Sequence, residues 1–225
     1  MTTIIITPAT ANDVDFIARA TMGAERAHLT IGIWDGFFAG CDDDTKLECL
    51  ASCSTIYEES HLHWKHFLIA RSSRQEDGHP IGSCSRYLTP PISANNTYVA
   101  LKEITARILQ WSEKEYDKAL ARINFIRDPS GWPNLSIYKG SCFLETVYTE
   151  ASHRGQGVAS ALLQQCMEDG KQMGASRCLL LAAIGNDGAL HVYTKLGLKV
   201  VGQHLHPETE AALGLPGFDI MVKDF

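Results

Sequence analysis

Residues 142–198 read CFLETVYTEASHRGQGVASALLQQCMEDGKQMGASRCLLLAAIGNDGALHVYTKLGL, and this stretch decides the fold. Cys142 to Thr149 is a short run of apolar, aromatic and β-branched residues, which predicts a strand. From Val158 the apolar residues recur at helical spacing, and Gly174 stands where a helix C-cap glycine belongs. Cys178 to Ala183 is a continuous apolar run, typical of a strand buried on both faces. The stretch therefore predicts one βαβα unit.

The segment between the first strand and the helix, Arg154-Gly155-Gln156-Gly157-Val158-Ala159, has the chemistry of an anion site. Glycines at a strand-to-helix junction let the backbone approach a ligand, and the first N–H groups of the helix then face it. This arrangement suits a phosphate or pyrophosphate, and a glycine turn without a ligand is the alternative. Neither the G-x-G-x-x-G of Rossmann folds nor the G-K-[ST] of a P-loop is present.

A second pattern follows about thirty residues later, where Asn186, Ala189, Tyr193 and Gly197-Leu198 have the spacing N-x-x-A-x-x-x-Y-x-x-x-G. The two patterns together resemble successive motifs of the GNAT superfamily of acyl-CoA-dependent N-acetyltransferases. The first family motif is R/Q-x-x-G-x-G/A. The second ends in Gly-Phe, where this chain has Gly-Leu.

The resemblance implies an α/β (α+β) fold in a single domain over residues 1–225, and the helical pattern at about 90–140 is an insertion that departs from the family. The family has a mixed, mostly antiparallel central sheet of about seven strands flanked by helices. Residues 90–140 and much of 21–60 are not covered by the resemblance, and residues 21–40 fit neither a helix nor a strand pattern. The predicted elements are strands at Thr3–Ile6, Phe67–Ala70, Ile81–Leu88, Cys142–Thr149, Cys178–Ala183, Lys199–His206 and Phe218–Val222, and helices after Thr10, at Lys46–Ile56, at Tyr98–Ile126 and after Gly157 and Asn186.

Composition narrows the class of protein. The net charge of −6 does not suit a nucleic-acid partner, because proteins that bind nucleic acid carry a basic patch. No run of eighteen apolar residues predicts a membrane span, and the first residues lack the basic start of a signal peptide. Seven cysteines, odd in number and without a C-x-x-C spacing, indicate reduced thiols. We expect a cytoplasmic protein.

Two clusters could bind a metal, and each has a simpler interpretation. Asp42-Asp43-Asp44 is an acidic cluster of the kind that starts a helix. His61, His63 and His66 surround a tryptophan, and the first two would share one face of a strand. No cysteine or acidic partner has ligand spacing nearby, so surface histidines at the start of a strand are favoured and no metal is expected.

The resemblance also implies acetyl-CoA as cosubstrate and assigns roles to particular residues. Tyr193 lies where the family protonates the thiolate of coenzyme A, and a phenol is protonated at neutral pH. Glu145, on the Cys142 strand, is a candidate for the general base, acting directly or through a water. The alternative is that it only binds a cationic acceptor. Glu150, His153 and Asp219 are weaker candidates for the base. A bulge in this strand would expose its backbone. The expected cofactor-binding residues are Val147, Tyr148, Thr149, Arg154, Gly155, Gln156, Gly157, Val158, Ala159, Asn186 and Tyr193.

The resulting hypothesis is an acyltransferase of the EC 2.3.1 type. It moves an acetyl group to a primary amine of a small molecule by direct attack in a ternary complex. A protein N-acetyltransferase and a catalytically silent acyl-CoA sensor are the alternatives, and transfer to a hydroxyl or of a longer acyl chain is a further option. Residues 90–140 would form a lid over the acceptor site or a dimer contact, so a homodimer is one of the alternatives. Cys142 is expected to pack in the core and not to act as a nucleophile.

Overall fold

The computed structural model describes residues 3–73, 78–88, 94–123 and 139–225. A seven-stranded sheet forms its centre. The strands are β1 (Ile4–Pro8), β2 (Phe67–Ser72), β3 (Pro80–Leu88), β4 (Cys142–Thr149), β5 (Arg177–Ala183), β6 (Lys199–Leu205) and β7 (Gly217–Asp224). Their order in the sheet is β1-β2-β3-β4-β5-β7-β6. All neighbours are antiparallel except β4 and β5, which are parallel.

Eight helices lie among the described residues. They are α1 (Val14–Arg26), α2 (Ile33–Phe37), α3 (Asp43–Cys53), α4 (Ala94–Ile108), α5 (Glu113–Arg122), α6 (Val158–Gln172), α7 (Asp187–Lys195) and α8 (Pro207–Leu213). Together with the sheet they confirm the mixed, mostly antiparallel α/β fold.

Local capping sets several helix starts. Thr10 and Asp13 form a capping box ahead of α1, where a helix was predicted to follow Thr10. Asp42 accepts a hydrogen bond from the Thr45 N–H, so the acidic cluster starts α3 as expected. Asn186 likewise caps α7 through the Ala189 N–H.

The predicted helix Tyr98–Ile126 is wrong as a single element. Its last three residues lie outside the described ranges, and the rest forms α4 and α5. Gln110 has a φ of 55° and interrupts the helix. Ser112 and Glu115 form a capping box that starts α5. Ser112 and Glu115 have the spacing of a capping box in the sequence, but the continuous apolar spacing around them favoured one uninterrupted helix.

Three other expectations need correction. Residues 21–40 are largely helical, because α1 continues to Arg26 and α2 follows. His61 and His63 do not lie in a strand; a 3-10 turn at Trp64–His66 precedes β2, and His63 is buried. The connection between the last two strands contains α8, with Pro207 in its first turn.

The core packs mainly between α6 and the sheet. Leu162, Leu163 and Cys166 from α6 are buried against Leu144 and Leu180. A second cluster joins α2, α3, α4 and α5 around Phe37 and Leu101. All seven cysteines are free thiols. Burial raises the pKa of the Cys142 thiol to about 12, which fits packing and does not suit a nucleophile.

Candidate functional site

The central feature of the site is the divergence of β4 and β5. They pair only at Cys142–Cys178 and Phe143–Leu179, near the start of each strand. Beyond Leu144 no described residue pairs with the backbone of β4 on the β5 side, although β4 remains paired with β3. An edge of unpaired N–H and C=O groups therefore faces a cleft inside the sheet.

A β-bulge in β4 lies at the point of divergence. Ser83 pairs with Tyr148 and Ser85 pairs with Glu145, so β4 has one more residue than β3 over this interval. Thr146 has a φ of 51°, which is rare for a β-branched residue. The extra residue breaks the regular alternation that would have put Glu145 on one face with Val147 and Thr149.

A cavity of about 1460 Å³ runs along this cleft. It has two ends with different chemistry. The loop end is lined by Thr149, His153, Arg154, Gly155, Gly157, Val158, Ala159 and Ser160. The acidic end is lined by Glu25, Leu29, Ile31, Ile33, Trp34, His61, Tyr87, Thr97, Tyr98, Ile123, Phe143 and Glu145. Thr146 and Val147 of the bulge, together with Asn186 and Tyr193 of α7, also line this cavity.

The loop end has the features of an anion site. Gly155 and Gly157 have φ values of 73° and 85°, in the left-handed region that favours glycine. No side chain of the described residues caps the start of α6, so its first N–H groups have no side-chain acceptor there. The exposed Arg154 donates from Nε to the Thr149 carbonyl at 3.3 Å. The Thr149 hydroxyl is buried and has no hydrogen-bond partner in the part of the chain that the structure describes.

Tyr193 lies on α7 and is only 8% exposed. Burial, followed by the neighbouring Cys84, raises the pKa of its phenol. The phenol is therefore protonated at neutral pH and has a proton to donate. The Asn186 side chain caps the same helix by accepting from the Ala189 N–H at 3.2 Å, which fixes its carbonyl oxygen.

The acidic end contains Glu25, a residue that sequence reasoning missed. It lies one residue before the end of α1, inside the segment that fitted no pattern. Burial and then the charge of Glu145 raise the pKa of the Glu25 carboxyl to about 7. Burial and the charge of Glu145 also raise the pKa of Tyr87. The charge of Glu145 thus raises the pKa of two groups from other elements, Glu25 of α1 and Tyr87 of β3.

A short polar chain lies beside these acidic groups. The Thr97 hydroxyl is 2.9 Å from His61 Nδ1 and 2.7 Å from the Ser60 hydroxyl. Thr97 and Ser60 are buried, so the chain holds the His61 ring against the cavity wall. Among the described residues, no group of three His, Cys, Asp or Glu side chains could hold a metal ion.

The structure brings most of the predicted site residues to one cavity. The exceptions are Gln156, Glu150 and Asp219, which do not line it. Gln156 donates from Nε2 to the Ser152 carbonyl at 3.0 Å, and Glu150 accepts from the Tyr148 hydroxyl at 3.3 Å. Asp219 is buried and accepts from Gln203 at 2.8 Å.

Within the described ranges, no helix is long and apolar enough to cross a bilayer.

Comparisons with known proteins agree with this geometry. An N-acetyltransferase from Staphylococcus aureus Mu50 has a TM-score of 0.61 and 18% identity, covering 97% of this chain and 100% of its own. YncA of Salmonella typhimurium, solved with its cofactor acetyl-CoA, has a TM-score of 0.52 and 13% identity, covering 99% and 94%. A mosquito arylalkylamine N-acetyltransferase like 5b has a TM-score of 0.54 and 14% identity, covering 99% and 100%.

At these identities the solved structures establish the fold alone. The comparison with curated protein sequences gave no significant match. The model of the acetyltransferase (GNAT) family matches residues 34–198, which is most of the chain. This match includes the bulged strand, the glycine loop and the helix that carries Tyr193. The chain belongs to the GNAT acetyltransferase family.

Proposed function

We propose that this protein is an N-acetyltransferase that moves an acetyl group from acetyl-CoA to a primary amine of a small molecule, by direct attack in a ternary complex. The observation that carries the proposal is the single cavity that joins the loop end to the acidic end past the unpaired backbone of β4. One end suits a phosphate-bearing donor and the other suits a cationic acceptor. The bulge between them is where the two would meet.

The residues present fit acetyl-CoA. Arg154, the glycine loop and the uncapped N-terminus of α6 would hold its phosphates. The unpaired backbone of Val147 to Thr149 would pair with its extended arm as an added strand does. The buried Thr149 hydroxyl, which no described residue hydrogen-bonds, offers one more hydrogen bond. When bound, acetyl-CoA supplies an acetyl thioester.

The chain itself supplies proton transfer and polar stabilisation. The protonated phenol of Tyr193 is the proposed acid that gives its proton to the departing sulfur. N–H groups of the bulged strand would stabilise the negative charge that develops on the carbonyl oxygen. Glu145 lines the acidic end, where it would act as a base or bind the cationic acceptor.

The form of the acidic end favours a small acceptor over a protein. Its walls include Trp34, Tyr87 and Phe143, which are 7%, 8% and 2% exposed. Packing fixes these buried aromatic side chains, and a compact acceptor would lie against them. A flexible peptide would need a continuous open groove along the surface.

The test is the release of free coenzyme A from acetyl-CoA across a panel of amines and peptides, with mass spectrometry of the products. Tyr193→Phe is measured beside Tyr57→Phe, a control outside the cavity. We expect an acetylated product from one class of small amine. Tyr193→Phe should lower turnover by about 10²-fold or more with little change in acetyl-CoA affinity.

Three outcomes would contradict the proposal. A product from peptides alone would indicate a protein acceptor. Tight acetyl-CoA binding without any product would indicate a sensor. Equal turnover in wild type and Tyr193→Phe would remove Tyr193 from the mechanism.

A further inference from the structure

The acidic end holds two carboxylates that have no cationic partner among the described residues. Glu25 comes from the end of α1 and Glu145 from β4, and both line the same cavity. Among the described residues, neither carboxylate forms an ion pair. Asp13, Asp35 and Asp169, by contrast, each pair with an arginine. Two partly buried carboxylates that line one cavity and form no ion pair with a described residue indicate a cationic ligand.

We propose that Glu25 is the base that takes the proton from the acceptor amine, that Glu145 binds the ammonium group beside it, and that the acceptor carries its amine on an apolar body. This inference rests on the proposed function of the same site. It resolves the role of Glu145 and adds a catalytic residue from α1.

The walls around the carboxylates determine the class of acceptor. Ile33, Trp34, Phe143 and Ile123 present apolar surface at the acidic end. The basic side chains in the described lining of the cavity, Arg154 and Lys195, come from the glycine loop and α7, and none comes from the elements that carry the two carboxylates. An amino acid would bring its own carboxylate against two others with no cation to receive it, and like charges at close range repel. A hydrophobic amine buries its body on these walls and places its ammonium group between the carboxylates.

The proton step is simple. The carboxylate of Glu25 accepts one proton from the ammonium group, which gives a carboxylic acid and a neutral amine whose lone pair is free to attack. Both products are uncharged, which a poorly solvated pocket favours. A pKa of about 7 lets Glu25 exchange this proton near neutral pH.

The other titratable side chains that line the acidic end come from several elements. They are Glu145 from β4, Tyr87 from β3, His61 from the segment before β2 and Tyr98 from α4. Arg26, next to Glu25 in the chain, is engaged by Asp35 at 2.7 Å. His61 is thus the competing base, and the test must separate it from Glu25.

The first measurement is equilibrium binding, which does not depend on turnover. The probes are 2-phenylethylamine and its neutral analogue 2-phenylethanol. Calorimetry in two buffers of different ionisation enthalpy counts the protons released, with and without coenzyme A. The proteins are wild type, Glu25→Gln, Glu145→Gln, His61→Gln and the control Glu48→Gln, which lies outside the cavity on α3.

Wild type should bind the amine about tenfold or more tightly than the alcohol. Binding should release about one proton at pH 6, about half at pH 7 and almost none at pH 8.5, as a group with this pKa requires. Glu25→Gln should abolish the release, while Glu48→Gln and His61→Gln keep it. Glu145→Gln should weaken binding and move the release to lower pH, because it removes a charge that raises the pKa of Glu25.

The second measurement is the pH profile of kcat/KM with an amine that is acetylated. The wild-type value should rise through about pH 7, and Glu25→Gln should lower it by about 10²-fold and flatten the profile. The inference would be overturned if Glu25→Gln kept the wild-type pH dependence of kcat/KM. It would also be overturned if only His61→Gln lost that dependence. Equal binding of amine and alcohol, or no amine binding at all, would overturn it as well. Amine binding with the expected proton release but no product would contradict the proposed function alone.

Discussion

Two glycines at opposite ends of α6 allow a matched test of the phosphate assignment. Gly157 and Gly174 have φ values of 85° and 88°, and a Cβ added at either would meet nothing within 4 Å. An alanine at such a φ costs about 1–2 kcal/mol. The less flexible unfolded chain returns about 0.4–1 kcal/mol. Each alanine variant should therefore lose about 1 kcal/mol of folding stability, which is a fall in Tm of about 2–4 °C.

Only Gly157→Ala should also weaken acetyl-CoA binding. Its new methyl group would stand at the uncapped start of α6, in the open space that we assign to phosphate. We expect about a tenfold loss of affinity, or about 1.4 kcal/mol, measured by calorimetry beside urea unfolding of both variants. Gly174→Ala, at the far end of the helix, should bind as wild type does. Equal affinities in the two variants would refute the placement of the phosphates.

Two further perturbations test the site and the fold. Arg154→Ala should weaken acetyl-CoA binding by about tenfold, and the loss should shrink at high salt because the lost contact is charge-assisted; unchanged calorimetric binding would contradict its role. Asp35→Asn should lower the free energy of unfolding by about 3 kcal/mol, because Asp35 pairs with Arg26 at 2.7 Å and Lys46 at 3.1 Å and holds both cations. Hydrogen bonding from Arg26 keeps the pKa of Asp35 below its usual range, so its contribution is present above about pH 4 and is lost as the pH falls further. Urea unfolding of both proteins should show this gap narrowing in acid, and a gap independent of pH would argue against the ion pair.

Local sequence was enough to predict the βαβα unit closely. The Cys142–Thr149 strand has the predicted bounds, and Asn186 caps its helix through a contact only three residues away. Glycines with positive φ stand at Gly157, Gly174 and Gly197, where the chain changes from one element to the next. Each of these features depends on neighbours within one turn or one strand. Pattern reasoning works over that range.

Local sequence patterns could not predict the acidic end of the cavity. Glu25 and Glu145 lie far apart in the chain, and only the packing of α1 against β4 places them at one cavity. Residues 21–40 fitted no single pattern because they contain the end of α1 and then residues that line the cavity. The apolar side chains of the first part pack in the core, and those of the second part face the cavity. The break at Gln110 was missed for a related reason: apolar spacing continues through it, and the turn depends on one residue with positive φ.

The bulge shows how the fold sustains a site that local preference opposes. A β-branched residue at the φ of Thr146 costs on the order of 1–2 kcal/mol, so the conformation persists only if its surroundings impose it. The pairs Ser83–Tyr148 and Ser85–Glu145 hold β4 to β3 on both sides of the extra residue. They fix the register of β4 while β5 diverges, which leaves the backbone after Leu144 unpaired in the cavity. The same short segment thus lies between the two ends of the site and contributes Glu145 to one of them, so we regard the strain at Thr146 as part of how the fold brings donor and acceptor together at the bulge.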